Sequence, residues 1–390
     1  MLKDIKVLEL ASVLAGPSVG QFFAEMGAEV IKVENTHTHG DVTRSWKTAG
    51  EETDDRSAYF CSVNWGKRSM GLDLAKNEGR KILHQLCAQS DIVLVSFKPG
   101  DEFKFEADYE SLKKINPSVI YGAITGYGSD NDRVGYDAVV QAESGFMDLN
   151  GEPDGVPLKM PVALIDVLAA HQLKEGILLA LLQRERTKVG MRIEVSLIQT
   201  GITSLSNQAT NWLVAGQVPK RMGSAHPNIA PYGDSFLTKD GKRILLAVGS
   251  DKQFTDLCKI LNHIEWKDDL RFTNNQSRVK NRNVLNNLLN GSIAQIHSET
   301  LLQEIHWKKI PAGIIQNVKE VLEGNDAREI LLGNNEIKGV RNFIGQGFAR
   351  PHVLPPPHYG EHSSSILIEK LGFSSKEAFS MLEKSIISGK

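Results

Sequence analysis

Ile5-Lys6-Val7-Leu8-Glu9-Leu10, then Gly16-Pro17 opening an amphipathic segment through Met26, then Gly27-Ala28-Glu29-Val30-Ile31-Lys32-Val33, is the stretch that decides the fold class. A strand, a helix and a second β-branched strand at this spacing make a βαβ unit, which implies parallel pairing and a right-handed crossover. Outward from it, Asp91-Ile92-Val93-Leu94-Val95 and Ser118-Val119-Ile120-Tyr121-Gly122 each follow a helix-patterned segment. The first two hundred residues therefore predict a doubly wound α/β domain.

Length predicts more than one unit. At 390 residues with 41% hydrophobic and 24% charged residues, the chain has material for a substantial core and no bias toward disorder. Its 45 basic and 47 acidic side chains leave a net charge of −2 and are interspersed, so no basic stripe offers itself to nucleic acid. No apolar run approaches the length of a membrane span, and the N-terminus has neither a signal-peptide h-region nor an arginine-rich bias. Cys61, Cys87 and Cys258 are too few and too widely spaced for a disulfide framework or a zinc site, which predicts a reducing, cytoplasmic location.

The composition changes near 220, where Pro219 to Asn228 reads as a connector, and again at Pro351-His352-Val353-Leu354-Pro355-Pro356-Pro357. The expected organisation is a large-domain segment over 1–220, a small domain over 225–320 and a return over 325–390. Lys242 to Val248 reads as a small-domain strand, and Lys376 to Ile387 as a C-terminal helix.

Several positions admit both a chemical and a structural reading. Asp166 closes the apolar run Pro161 to Ile165 and opens a helix-patterned stretch from Val167 to Gln183. It can cap that helix or act as a carboxylate nucleophile, and position alone favours the cap. Glu34 ends the second strand where a ribose-binding acid would stand, but the preceding turn lacks G-x-G-x-x-G, so an ordinary strand-to-helix turn is preferred to a nicotinamide site. His37 and His39 lack a third ligand at a metal-site spacing, and His352, His358 and His362 read as solvated, so no metal is expected. Lys67, Arg68 and Lys98 stand beside turns near strand ends, where cations can hold phosphates, although isolated basic turn residues are usually just solvated. Gly126-Tyr127-Gly128 is either a close-approach loop donating amides to an oxyanion or a plain turn, and Asp137 reads as a helix cap.

Taken in order, the motifs resemble the family III CoA-transferases (CaiB/BaiF type), a group that includes formyl-CoA transferase, carnitine CoA-transferase and acyl-CoA racemases. The matching residues are Ile5 to Glu9 with Ala15-Gly16-Pro17, Gly27 to Glu34, Gly40-Asp41 with Arg44, and Asn64 with Lys67-Arg68-Ser69 and Leu72-Asp73-Leu74. Phe97-Lys98-Pro99-Gly100, Gly126-Tyr127-Gly128, Tyr136-Asp137, Asp166, His226-Pro227-Asn228 and Gly360-Glu361-His362 continue the match. The resemblance implies a CoA-transferase in which Asp166 is the nucleophile, forming an acyl anhydride and then an aspartyl-CoA thioester. An Asp with its ordinary pKa is expected to be ionised already, with no base needed.

The same resemblance implies CoA contacts from Leu14, Ala15, Leu72, Asp73, Leu74, Ala75, Ser96, Phe97, Lys98, Lys104 and Thr125, with Gly126, Tyr127 and Gly128 as the shielding and oxyanion loop. It implies a large α/β domain built from both termini, a smaller inserted α+β domain and an interlocked homodimer. Acyl-CoA and a small carboxylic acid, of a class such as the dicarboxylates, would be the substrates, with no permanently bound cofactor. Asn35 departs from the formyl-CoA type, which has arginine there, and Met222 to Pro227 replaces that type's glycine-rich loop. Two alternatives stay open. A racemase would need a histidine where this chain has Tyr136, and a phenol is a poor base at neutral pH; the other is a non-catalytic CoA-ester-binding paralogue.

Overall fold

A computed structural model describes residues 1–333, 337–343, 345, 347–348 and 351–389. The chain divides into two compact units, one of residues 1–146, 159–210 and 329–390, the other of residues 147–158 and 211–328.

In the first unit, strands β1 (Lys6–Leu10), β2 (Glu29–Asn35), β3 (Lys67–Leu72), β4 (Ile92–Val95), β5 (Ile120–Thr125) and β6 (Met191–Ser196) form a parallel sheet in the order β3-β2-β1-β4-β5-β6. Ile387–Ser388 adds a seventh, antiparallel strand beside β3. The strand order reverses between β1 and β4, and open α/β sheets bind ligands in the crevice beyond the carboxyl ends of two such strands.

Alternation along the strands sends successive side chains to opposite faces. Val7 and Val30 join one core with Phe23 of the Ala15–Glu25 helix and Leu173 of the Leu164–Thr187 helix. Leu8 and Ile31 join the other with Leu83, Leu112 and Ile366 from helices on the opposite face. Burial on both faces explains why β4 reads as Ile-Val-Leu-Val with no polar interruption.

The second unit contains a three-stranded antiparallel sheet of Tyr232–Leu237, Arg243–Ala247 and Ala312–Ile314. Phe236, Phe254, Phe272 and Leu289 lie in its core.

Two helix expectations change. The C-terminal helix covers only Ser375–Glu383, and Ile387 leaves it to pair with Leu72, which places an apolar side chain in the large core instead of along a surface helix. The long helix starts at Leu164, earlier than Val167, so Asp166 is its third residue and not its cap.

Candidate active site

A cleft of ≈ 560 Å³ opens at the β1/β4 reversal and extends beyond β5. Its walls are the turn Ser12–Gly16, the Val95–Pro99 segment, the loop from Thr125 through Gly135, and Tyr136, Asp137 and Asp166. Leu14, Ala15, Ser96, Phe97, Lys98, Thr125, Gly126, Gly128 and Asp166, anticipated from sequence, thus come together. Tyr127, Leu72, Asp73, Leu74, Ala75 and Lys104 are not among the lining residues. Leu72 is a buried core residue, and Asp73 accepts from Ala75 N at 3.0 Å and contacts His37 Nε2 at 3.2 Å. Lys104 lies exposed over the Phe105 ring, which packs on Phe97.

Asp166 is 8% exposed, in an apolar helix start between Ile165 and Val167, and its carboxylate forms no hydrogen bond or ion pair among the described residues. Burial first, and the negative charge of Asp137 second, push its pKa up to about 7. The expectation of a carboxylate fully ionised at neutral pH is therefore corrected. A desolvated, unpaired carboxylate is a more reactive nucleophile than a solvated one once it is ionised.

Asp137 performs the capping job that position suggested for Asp166. Its Oδ1 accepts from Ile165 N at 2.8 Å, satisfying an early amide of the Leu164–Thr187 helix, while Oδ2 accepts from Gln141 Nε2 at 2.7 Å. Tyr59 senses the same acids. Burial, then the charges of Asp166, Asp137 and Asp41, raise its phenol to about 12.

The loop beyond β5 is tightly built. A Cβ on Gly126 would lie 2.6 Å from Gly135 N, so the two backbone segments meet only because no side chain intervenes. Gly128 adopts φ +100 and donates its N–H to Thr125 Oγ1 at 3.1 Å, so that amide is engaged internally and is not a free oxyanion donor. Glu194 accepts from Ser129 N at 2.7 Å and from Thr125 Oγ1 at 3.3 Å, and the Arg133 guanidinium stacks 4.0 Å over the Tyr127 ring while bonding Glu143 at 2.6 Å. Sequence reading missed Glu194, Arg133 and Tyr59, because contacts across 69, 10 and more residues leave no local spacing signal.

Beneath the Ser12–Gly16 turn lies a charge cluster. Lys32 Nζ is 3.0 Å from both Glu9 Oε1 and Asp41 Oδ2, and Lys67 Nζ is 2.8 Å from Glu9 Oε2. Desolvation opposes the charge on Lys32, but Asp41 and Glu9 overcome it and raise its pKa; for Lys67 desolvation prevails and the pKa falls to about 8. Lys67 is buried against Glu9, Pro17 O and Asn64, and Arg68 pairs with Glu29 and Glu369, so neither the solvated nor the phosphate-holding reading fits them. Exposed Lys98 is the one of the three that lines the cleft.

Glu34, the ribose-type acid, is buried and bonded to Arg44, Ser69 and the Asp41 amide. The solvated reading of two histidines is also corrected: His358 Nδ1 meets Asp55 Oδ1 at 2.5 Å, and His362 Nδ1 accepts from Ser69 N at 3.3 Å. Asp54, Asp55 and His358 bring donor atoms within 4.8 Å, but Arg56, Arg44 and Tyr359 N–H already engage the two carboxylates.

The family model described as CoA-transferase family III matches residues 2–363. The chain belongs to that family. Succinate--glutarate CoA-transferase of Agrobacterium fabrum is 38% identical over 94% of this chain and 95% of its own length. Succinyl-CoA:glutarate CoA-transferase of Homo sapiens is 32% identical over 99% and 90%. A crystal structure of a CAIB/BAIF family protein from Brucella suis superposes with TM-score 0.85 at 40% identity, covering 95% of this chain and 99% of that one. The family III chain is accordingly a CoA-transferase. Its cleft at the β1/β4 reversal is where the large parallel sheet of such a fold would receive a ligand.

Proposed function

We propose that this family III enzyme moves CoA from a succinyl-type thioester to a second dicarboxylic acid, with Asp166 as covalent carrier. The observation that carries the reading is the buried, unpaired Asp166 carboxylate in the wall of the switch-point cleft. The similarity to succinate--glutarate and succinyl-CoA:glutarate transferases supports the dicarboxylate class.

An Asp166 oxygen attacks the thioester carbon, forming a C–O bond and expelling CoA thiolate, which leaves a mixed acyl-aspartyl anhydride. The thiolate attacks the aspartyl carbonyl, releasing the donor acid and leaving an aspartyl-CoA thioester. The acceptor carboxylate then repeats both steps in reverse. No net proton is consumed, so the requirement is an ionised Asp166, and with its pKa raised to about 7 the carboxylate is only partly ionised at neutral pH. Occupation of the cleft by the thioester would displace water that would hydrolyse the anhydride, and the Gly126 backbone in the cleft wall is the candidate donor to the thioester oxygen. Binding of the long CoA moiety along the Ser12–Gly16 turn and Ser96–Lys98 would orient the reacting carbon. Leu74, Ala75 and Lys104 are proposed for contacts beyond the cleft, whereas Leu72 and Asp73 are buried and are not available to a ligand.

The enzyme is further proposed to work as an interlocked homodimer with its large domain drawn from both termini. Support comes from the Leu164–Thr187 helix, whose far side leaves Leu178, Leu179 and Leu182 37%, 67% and 64% exposed, a face that a monomer has no reason to carry. The three buried free cysteines suit the reducing, cytoplasmic compartment proposed for it.

Incubation with succinyl-CoA, digestion and mass spectrometry test the reading. CoA or hydroxylamine-trapped acyl mass on the Asp166 peptide is expected. Exchange of the substrate α-proton without any adduct would overturn it in favour of racemisation.

A further inference from the structure

Val13 lines the cleft with φ 71, in the left-handed region that β-branched residues disfavour. Nothing in its own side chain explains that conformation. Its N–H, however, points at both carboxylate oxygens of Asp41, at 3.3 and 3.2 Å. The Asp41 carboxylate is fixed in turn by Thr43 N at 3.1 Å, Thr43 Oγ1 at 2.8 Å and Lys32 Nζ at 3.0 Å. Lys32 also donates to Ala11 O at 2.8 Å, and Ser12 N donates to Ser96 Oγ at 3.0 Å, so the turn is tied on both sides of Val13. Asp41 and Thr43 are buried and absent from the cleft lining.

We propose that Asp41 is a positioning residue for acyl-CoA binding: by holding Val13 left-handed it sets the Ser12–Gly16 turn that forms one wall of the cleft. The inference rests on the reading that this cleft receives the CoA thioester. A charged acceptor is needed because the conformation it enforces is one that valine leaves when released. Without Asp41 the turn relaxes toward extended geometry, which displaces the wall at Leu14 and Ala15 but leaves Asp166 in its helix. Affinity for the CoA ester should therefore fall more than the chemical step.

The test is a cycle of Asp41→Asn measured in the wild-type chain and in the Val13→Gly background, because glycine adopts positive φ without an anchor. In the wild-type chain Asp41→Asn should raise KM for succinyl-CoA and Kd for CoA about tenfold, the scale of one charge-assisted hydrogen bond, with a smaller fall in kcat. In the Val13→Gly background the same change should cost about twofold. If Asp41→Asn does not fold, Thr43→Val, which removes one bond to the carboxylate, replaces it and should show a smaller KM rise with the same rescue. Unchanged KM and Kd overturn the proposal, as does an increase that Val13→Gly leaves undiminished, since a merely structural role would behave that way. Failure of the unmodified enzyme to bind CoA removes the reading beneath the inference and the inference with it.

Discussion

Asp137 caps the helix that carries Asp166, its Oδ1 accepting the Ile165 amide at 2.8 Å, so two acids that sequence position would have made alike take opposite roles. The capping carboxylate is compensated by hydrogen bonds. Asp166 has no such compensation, and the negative neighbour adds to burial in keeping it protonated to unusually high pH. Reactivity at one site is thus stored as an electrostatic cost, held in place by the packing of the other.

Asp166→Asn should abolish turnover, by at least about 10³-fold, while stabilising the fold at alkaline pH. With its pKa raised to about 7, the folded chain keeps a proton that the unfolded chain releases near its ordinary value of 3.8. Stability therefore falls as pH rises through that window, and the full cost of the ionised group is present above about 7. The amide removes that cost, on the order of 2–4 kcal/mol at pH 8 and nearly nothing at pH 4. Calorimetry of both proteins at the two pH values checks the sign; a variant less stable at pH 8 would contradict it.

Asp137→Asn should move the acid limb of kcat/KM for acyl-CoA toward lower pH. The amide oxygen still accepts from Ile165 N, but the like charge beside Asp166 is gone, so the limb near pH 7 should shift downward by up to about one unit. Desolvation, the larger cause, persists, so the limb should stay above the ordinary carboxylate value. A limb that stays at 7 would mean that the Asp137 charge does not act on the titrating group.

The parallel sheet was legible because β-branched alternation over Lys6–Leu10 and Glu29–Asn35 is a local signal with one physical meaning. The site was legible only in part. Asp166, Thr125, Gly126 and the Ser96–Lys98 segment stood out as strand-end residues, and the topology brings strand ends together. Lys67 misled because a cation beside a glycine turn looks like a phosphate ligand until its partner Glu9, 58 residues away, is seen. The raised pKa of Asp166 was illegible for the same reason, since burial is a property of packing and not of spacing. Chain ends were misread by helix periodicity alone, as Ile387 shows by turning into the sheet.

Gly126→Ala should loosen the cleft loop. Its Cβ would lie 2.6 Å from Gly135 N and 2.7 Å from Gly135 Cα, both backbone atoms that cannot rotate away. A cost of about 1–3 kcal/mol in stability is expected, with a raised KM for acyl-CoA as the Thr125–Ser129 loop shifts. Gly135→Ala should behave alike, because its Cβ would sit 2.5 Å from Gly126 Cα. Wild-type KM and denaturation midpoint in either variant would show that the two strands of the loop can separate without consequence.

Leu179→Glu should convert the proposed dimer to monomer and remove activity. Leu179 and Leu182 lie 67% and 64% exposed on the side of the Leu164–Thr187 helix away from Leu173 and Ile177, which are buried in the large core. If that side packs against a second copy, each leucine loses about 1.5–3 kcal/mol of burial, counted twice in a two-fold interface, and the carboxylate adds a desolvation cost. The dimer constant should weaken by about a hundredfold or more. Sedimentation at several concentrations measures the assembly, and assays on the same samples show whether turnover tracks it. An active variant of unchanged mass would place the partner surface elsewhere and leave this leucine face unexplained.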